Sequence, residues 1–382
     1  MRRFAIVCPN FFPRVCGIGD HSARLGAELL RRGHEVVVYS RGPVQPHPEA
    51  PEVEVHAAVS TAPIGIAHEI ATAIEAWRPT DLILQYTGQM WGAWRFGTPG
   101  PALLAARARA AGAKITLIAH EIFVPLYRRP DLLVSALLQR VYFAQLLRSC
   151  DHLFVTTESR IRYVAPYCEA LRLPPPRVIR IGPNALPSPR FERGVSGPPG
   201  PRIGLFSTAA LGKRFDVVLD AFAQVVEQLP SAELVLIGDL GSSVRPGVRQ
   251  IKEALRRHPA ADRIRLTGKL PLARIAAEVA ALDIYLFPMN TGANTRSGTL
   301  PVALGSGLPV VAIAGTETDA GLFHDGENVI FARALESGAF AQAALRLWRE
   351  PALRAKVAAG ALRLYAEHLS WQPITDGLLA AI

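Results

Sequence analysis

The stretch FAIVCPNFFPRVCGIGDHSARLGAELLRRGHEVVVYS, Phe4 to Ser40, joins a short apolar run, a glycine-containing turn, a segment of helical apolar spacing and a second apolar run. From Ser22 to Arg32 apolar residues recur every three or four positions, Gly33 ends the pattern, and a run rich in valine follows from Glu35 to Ser40. This predicts strand, turn, helix and strand, the repeating piece of a parallel sheet with crossover helices. The second half repeats the plan as RIGLFST, AALGKR, FDVVLDAFAQVVEQL and AELVLIGD, between Arg202 and Asp239. Strand and helix alternate through most of both halves, so each half is expected to be a doubly wound α/β domain.

The 382 residues exceed one ordinary core and suggest two domains of roughly 150 to 200 residues. The segment PNALPSPRFERGVSGPPGPR, about 183–202, is rich in Pro, Gly and Ser and lacks periodic apolar residues, the composition of an interdomain linker. Domains of about 1–185 and 203–367 follow, with a cleft expected where the carboxyl ends of their strands face each other.

Hydrophobic content of 49% with 19% charged residues argues for packed cores, and Arg, Pro or Gly interrupts every run long enough to span a membrane. The start MRRFAIVCPN has a superficial signal-peptide character. It runs into a glycine-rich turn and a helix without a cleavage pattern, so it reads as a first buried strand. Cys8, Cys16, Cys150 and Cys168 show neither CxxC pairing nor metal-ligand spacing, which fits a reducing cytoplasm. A net charge of +10 implies an anionic partner, yet no dense Lys/Arg block or aromatic-interleaved motif points to nucleic acid. The helix expected over Asp131 to Ser149 is apolar with basic residues near both ends, which suits a core helix or one with a membrane-contacting face.

Gly17, Ile18 and Gly19 fall between strand and helix, where backbone N–H groups can approach a phosphate; the alternative is only a tight turn. The full GxGxxG is absent because Ser22 takes its last position, and no acid ends the second strand, which disfavours a dehydrogenase. Lys213, beside Arg214, occupies the matching turn of the second half and could neutralise a diphosphate or simply be solvated.

The ordered blocks CGIGDHSARLGAELLRRGHEV, DLILQY, IAHE, CDHLFVTTES, IGPNAL, GKRFDVVLDAF, LVLIGD, IRLTGKL, ALDIYLFP, GSGLPVVA and HDGENVIF resemble the GT-B glycosyltransferases of family 4, retaining enzymes that use nucleotide-sugar donors. The resemblance spans nearly the whole chain. It implies an α/β fold of two Rossmann-like doubly wound parallel-sheet domains facing a central cleft. The final helix, about 368–382 (SWQPITDGLLAAI from Ser370), would cross back to the first domain. It further implies that Gly17 and Gly19 approach the donor phosphate, His120 contacts the transferred sugar, and Lys213 pairs with the diphosphate. Gly268, Lys269 and Leu270 would form the loop whose backbone meets the nucleobase. Glu121 is given only a loop-orienting part.

Two departures from the family pattern stand out. An arginine expected five residues before the lysine falls on Thr208. A pair of glutamates with seven residues between them falls on Asn294, which would face the donor sugar, and Val302, which would meet the ribose and cannot accept a hydrogen bond. What remains nearby suits an anion: Ser297, Gly298 and Thr299 precede a short helix from about Leu300, and Arg296 could replace the cation missing at Thr208. Tyr86, Trp91, Trp94 and Phe96 are candidates to stack on an acceptor sugar or to pack in the core.

The function expected is metal-independent, retaining transfer of a sugar from a nucleoside diphosphate to a hydroxyl of a sugar, glycolipid or glycan. No cofactor is implied beyond that donor. The basic charge leaves peripheral contact with the inner membrane face open. The alternatives are a GT-B protein that binds nucleotide or glycan without transfer, and a nucleotide-sugar epimerase or phosphorylase on the same architecture.

Overall fold

A computed structural model describes the chain apart from residues 15, 93–95, 125, 127–129, 190–199, 208–211 and 242–245 and the side chains of 130, 131 and 246. Thr208, Trp94 and half of the expected linker lie outside the described residues. The chain forms two compact units: Met1–Ile181 with Ile374–Ile382, and Gly182–Pro373.

The first unit contains β1 (Arg3–Val7), β2 (Glu35–Arg41), β3 (Glu54–Ala58), β4 (Asp81–Tyr86), β5 (Lys114–Ala119), β6 (His152–Val155) and β7 (Arg177–Val178). They form one sheet in the order β3-β2-β1-β4-β5-β6-β7, parallel throughout. Its helices are α1 (Gly17–Arg31), α2 (Pro63–Trp77), α3 (Gly100–Ala110), α4 (Pro130–Leu147) and α5 (Ile161–Leu171). β4, read as DLILQY, is buried at every position, as a central parallel strand covered on both faces must be. Gly33 takes φ +77° just past α1, a left-handed conformation that costs glycine little and turns the chain into β2.

The helix expected from Asp131 proves only partly a core helix. α4 buries Ser135, Ala136, Gln139, Phe143, Leu146 and Leu147, while Leu133, Val134, Leu137 and Val141 are exposed on its other side. No helix among the described residues is long and apolar enough to cross a membrane.

In the second unit, β8 (Arg202–Phe206), β9 (Glu233–Ile237), β10 (Ile264–Leu266), β11 (Ile284–Leu286), β12 (Val310–Ile313) and β13 (Ile330–Ala332) form a parallel sheet in the order β10-β9-β8-β11-β12-β13. Helices α6 (Phe215–Gln228), α7 (Pro246–Arg257), α8 (Leu272–Ala280), α9 (Leu300–Gly305), α10 (Ser337–Arg349) and α11 (Pro351–Leu364) accompany it, and α12 (Trp371–Leu379) ends the chain. The division between units falls inside α12. Phe222, Tyr285, Phe287 and Phe340 anchor the core.

The strand order reverses between β1 and β4 in the first sheet and between β8 and β11 in the second. Such reversals open a crevice at the carboxyl ends of the strands, where ligands of doubly wound sheets bind.

Gly360 sits in α11 with the backbone carbonyl of Glu327 where a Cβ would stand. Alanine normally helps a helix, but here the backbone would have to give way. Gly360→Ala should lower unfolding free energy in urea by about 1–3 kcal/mol.

Candidate functional site

The loops after β8 and β11, the strands that flank the reversal in the second sheet, carry Lys213 and residues 290–299. Gly212 takes φ +87°, and the amide of Asn290 donates to its carbonyl at 2.9 Å. Lys213 forms an isolated antiparallel bridge with Met289, and the amide of Arg214 donates to the Pro288 carbonyl at 3.0 Å. Backbone bonds thus tie the turn after β8 to the loop after β11 and fix Lys213 at the reversal. Its ammonium is partly buried and has no carboxylate partner among the described residues; burial pulls its pKa down to about 8. Neighbouring Arg214 differs, since its guanidinium is chelated by exposed Asp216 at 2.5–3.0 Å.

The loop 290–299 is held mainly from within the unit. Gly292, at φ +90°, leaves no room for a Cβ against Gly315 and Thr318. Asp319, 2% exposed, accepts from the backbone N–H of Thr295 at 2.7 Å and from its hydroxyl at 2.8 Å. Asn294 is fully buried; its amide donates to Thr291 Oγ1 and the Gly292 carbonyl, and its Oδ1 accepts from the Arg296 N–H. Its polar groups staple the turn, so the expected contact with a donor sugar is not available to it in this conformation.

Arg296 donates to Glu317 at 2.9 Å, so the expected substitute cation already carries a counter-charge. Ser297 and Thr299 share a 3.0 Å hydroxyl contact, and the Gly298 carbonyl accepts from the Asn184 amide at 2.9 Å. Val302 is 0% exposed within α9 and packs in the core, which corrects its placement at a ribose: it presents no surface.

At the next strand ends, Gly238 and Gly268 pair as an isolated bridge, with φ of +111° and +68°. The Gly238 amide donates to Thr267 Oγ1 at 3.0 Å. Gly268 has open space where a Cβ would stand, and its carbonyl accepts from Thr267 Oγ1 at 3.1 Å; Lys269 is exposed and Leu270 half-buried.

The first unit has its own cluster at the β1/β4 reversal. Gly17 and Gly19 are not a loop: they lie in the first turn of α1, which begins at Gly17, ahead of the periodic pattern that starts at Ser22. Gly17 is exposed, whereas Gly19 is buried with the Asn10 carbonyl 2.7 Å from a Cβ position, a packing constraint. His120 follows β5 and is half-buried; its Nε2 lies 2.6 Å from Gln85 Oε1, and its ring meets that of His21 edge-on at 5.3 Å. Burial, then the neighbouring His21 and Arg160, hold His120 well below the ordinary histidine pKa, and burial takes His21 down to about 3. Both rings are neutral at physiological pH. Arg160 donates to the His120 carbonyl and pairs with the exposed Glu121 carboxylate at 3.3 Å.

Tyr86 and Trp91 are buried in the first core, whereas Phe96 is exposed. Gln85, His21, Arg160 and Asp319 escaped the sequence reading. The one usable signal was the glutamine in DLILQY, a polar residue within a buried run. Among the described residues no three His, Cys, Asp or Glu side chains converge as a metal would require.

Comparison with known proteins accords with this geometry. Residues 15–184 match the model of Glycosyltransferase Family 4, and residues 200–350 that of the Glycosyl transferases group 1. No curated protein matches. Among solved structures, the chain is similar to Anabaena HepE in complex with UDP and glucose, at 15% identity and TM-score 0.72, covering 100% of this chain and 99% of that one. A glycosyltransferase from Rickettsia africae gives 13% and 0.73 over 99% and 97% of the two chains. Sucrose-phosphate synthase from Thermosynechococcus elongatus gives 14% and 0.73 over 100% and 98%.

Proposed function

We propose that this chain, a glycosyltransferase of GT-B type with a family 4 first half and a group 1 second half, moves a sugar from a nucleoside diphosphate to a hydroxyl acceptor with retention of anomeric configuration. The observation that carries the donor assignment is Lys213, a partly buried ammonium without a carboxylate partner among the described residues, fixed at the reversal of the second sheet. As the bond to the sugar breaks, negative charge grows on the departing diphosphate, and a preplaced cation stabilises that charge most where water is scarce. The reading uses no metal ion and no protein base: the leaving diphosphate takes the acceptor's proton on the face it departs from.

The partly exposed loop from Gly268 to Leu270 is our candidate for reading the base, and His120 for contacting the transferred sugar. HepE is seen with UDP, which makes uracil the first base to try here. The exposed apolar side of α4, on a chain of net charge +10, favours an acceptor carried at an anionic lipid surface.

Purified protein incubated with UDP-, GDP- and ADP-sugars should release one nucleoside diphosphate in step with acceptor glycosylation, with or without EDTA, and NMR should find the donor's anomeric configuration in the product. Thermal stabilisation by a nucleotide without turnover would instead indicate a binding protein. Inversion at C2 of the free donor would indicate an epimerase. Because Arg296 is already paired with Glu317, Arg296→Ala should weaken nucleotide binding by only about threefold or less by calorimetry, the worth of a partly solvated charge. A loss as large as that from removing Lys213 would make Arg296 the principal cation.

A further inference from the structure

We propose that Gln85 is a positioning residue that sets the tautomer and orientation of the His120 ring. The inference rests on the reading above in which His120 touches the donor sugar. β4 and β5 pair with Gln85 opposite Ile118, and strand alternation puts Gln85, Ile118 and His120 on one face of the sheet. Gln85 Oε1 lies 2.6 Å from His120 Nε2. An amide oxygen only accepts, so the ring hydrogen belongs on Nε2 and Nδ1 is left as the acceptor. His120 then offers a sugar hydroxyl a lone pair at a fixed place.

Two further contacts hold the same group. The His21 ring stands against it at 81° from α1, and the Arg160 guanidinium grips its carbonyl. With the backbone and one ring face fixed, rotation and tautomer are the remaining freedoms, and Gln85 removes both.

Gln85 is an expensive residue to keep there. It is fully buried, and its amide nitrogen has no hydrogen-bond partner among the described residues. An unmade buried donor costs stability that a leucine in the same strand would not incur. A residue retained for packing would not combine an orphaned donor with a short bond to the ring of a site histidine.

The test compares wild type, Gln85→Leu and Gln85→Glu by ¹⁵N NMR of the His120 ring, thermal melting and steady-state kinetics. Wild type should show the Nε2–H tautomer. Gln85→Leu should show mixed tautomers, an unchanged or higher Tm, and kcat reduced about tenfold with KM for the nucleotide sugar within about twofold, the worth of one directed hydrogen bond. Gln85→Glu, which keeps an acceptor, should retain the Nε2–H tautomer and more activity than the leucine variant. Gln85→Asn, with its shorter reach, replaces Gln85→Leu if the latter does not fold.

An Nδ1–H tautomer in wild type, or ring signals unaltered by Gln85→Leu, would overturn the proposal. Full transfer by His120→Ala alongside the expected NMR shifts would instead remove His120 from the sugar contact and leave Gln85 as the group that sets its ring.

Discussion

Lys213→Ala should lower kcat/KM for sugar transfer by about 10²–10³, the usual loss when one preorganised charge-stabilising group leaves a site. The structure sharpens this with a pH signature. In the free protein burial holds the ammonium at about 8. A bound diphosphate favours the charged form and raises that pKa, so binding takes up a proton as pH climbs past 8. Donor affinity should therefore be constant below that point and fall by up to about tenfold per pH unit above it. Calorimetry with UDP at pH 7 and 9 reads the effect directly, and Lys213→Ala should abolish this component.

Stability runs the other way. Because the folded pKa lies below the unfolded one, the charged lysine opposes folding below about pH 8, and that opposition lifts as pH rises toward the ordinary lysine value of 10.5. Lys213→Met, of similar length and uncharged, should melt no lower than wild type while losing donor affinity. If it melts markedly lower, the ammonium is serving the fold and the donor role is wrong.

The second large effect falls on Asp319. Its Oδ2 receives both the backbone N–H and the hydroxyl of Thr295, and its own amide donates to the Ala293 carbonyl at 3.2 Å. Asp319→Ala leaves a buried amide and hydroxyl unpaired and removes a charge-assisted acceptor. We expect a loss of about 3–6 kcal/mol in urea unfolding, from two bonds to a charged group at about 1.5–3 kcal/mol each. Nucleotide binding should weaken as well, because the loop that holds Lys213 from the β11 side loses its anchor. Asp319→Asn, which keeps an oxygen, should recover part of both. A variant that unfolds like wild type would show that the Thr295 contacts are replaced by water at no cost.

The alternation of buried strands and amphipathic helices in FAIVCPN and RIGLFST was legible because both halves repeat one local pattern, and the two sheets follow from it. Local patterns do not carry partners distant in sequence. Gln85 meets His120 across a strand pair 35 residues apart, and Asp319 holds Thr295 across 24. Neither pairing leaves a spacing to detect.

The same limit explains the readings that changed. Val302 follows a proline in a short helix whose outward or inward face cannot be read from six residues, and it packs inward. The charge of Arg296 was visible, but Glu317 is set against it only by the fold. Gly17 and Gly19 carry no apolar side chains, so the periodic pattern began later than the helix does.

Among the described residues, the hydrogen bonds that fasten the turn around Lys213 to residues 288–290 run between carbonyl and amide groups. Such groups belong to the main chain, and even Pro288 supplies one as its carbonyl, so the identity of Met289 is not written into these bonds. The residues that follow are not equally exchangeable, because Asp319 fastens the same loop at Thr295. Under the proposed function, the place of the cation is thus set by main-chain groups and one buried carboxylate rather than by the side chains beside it.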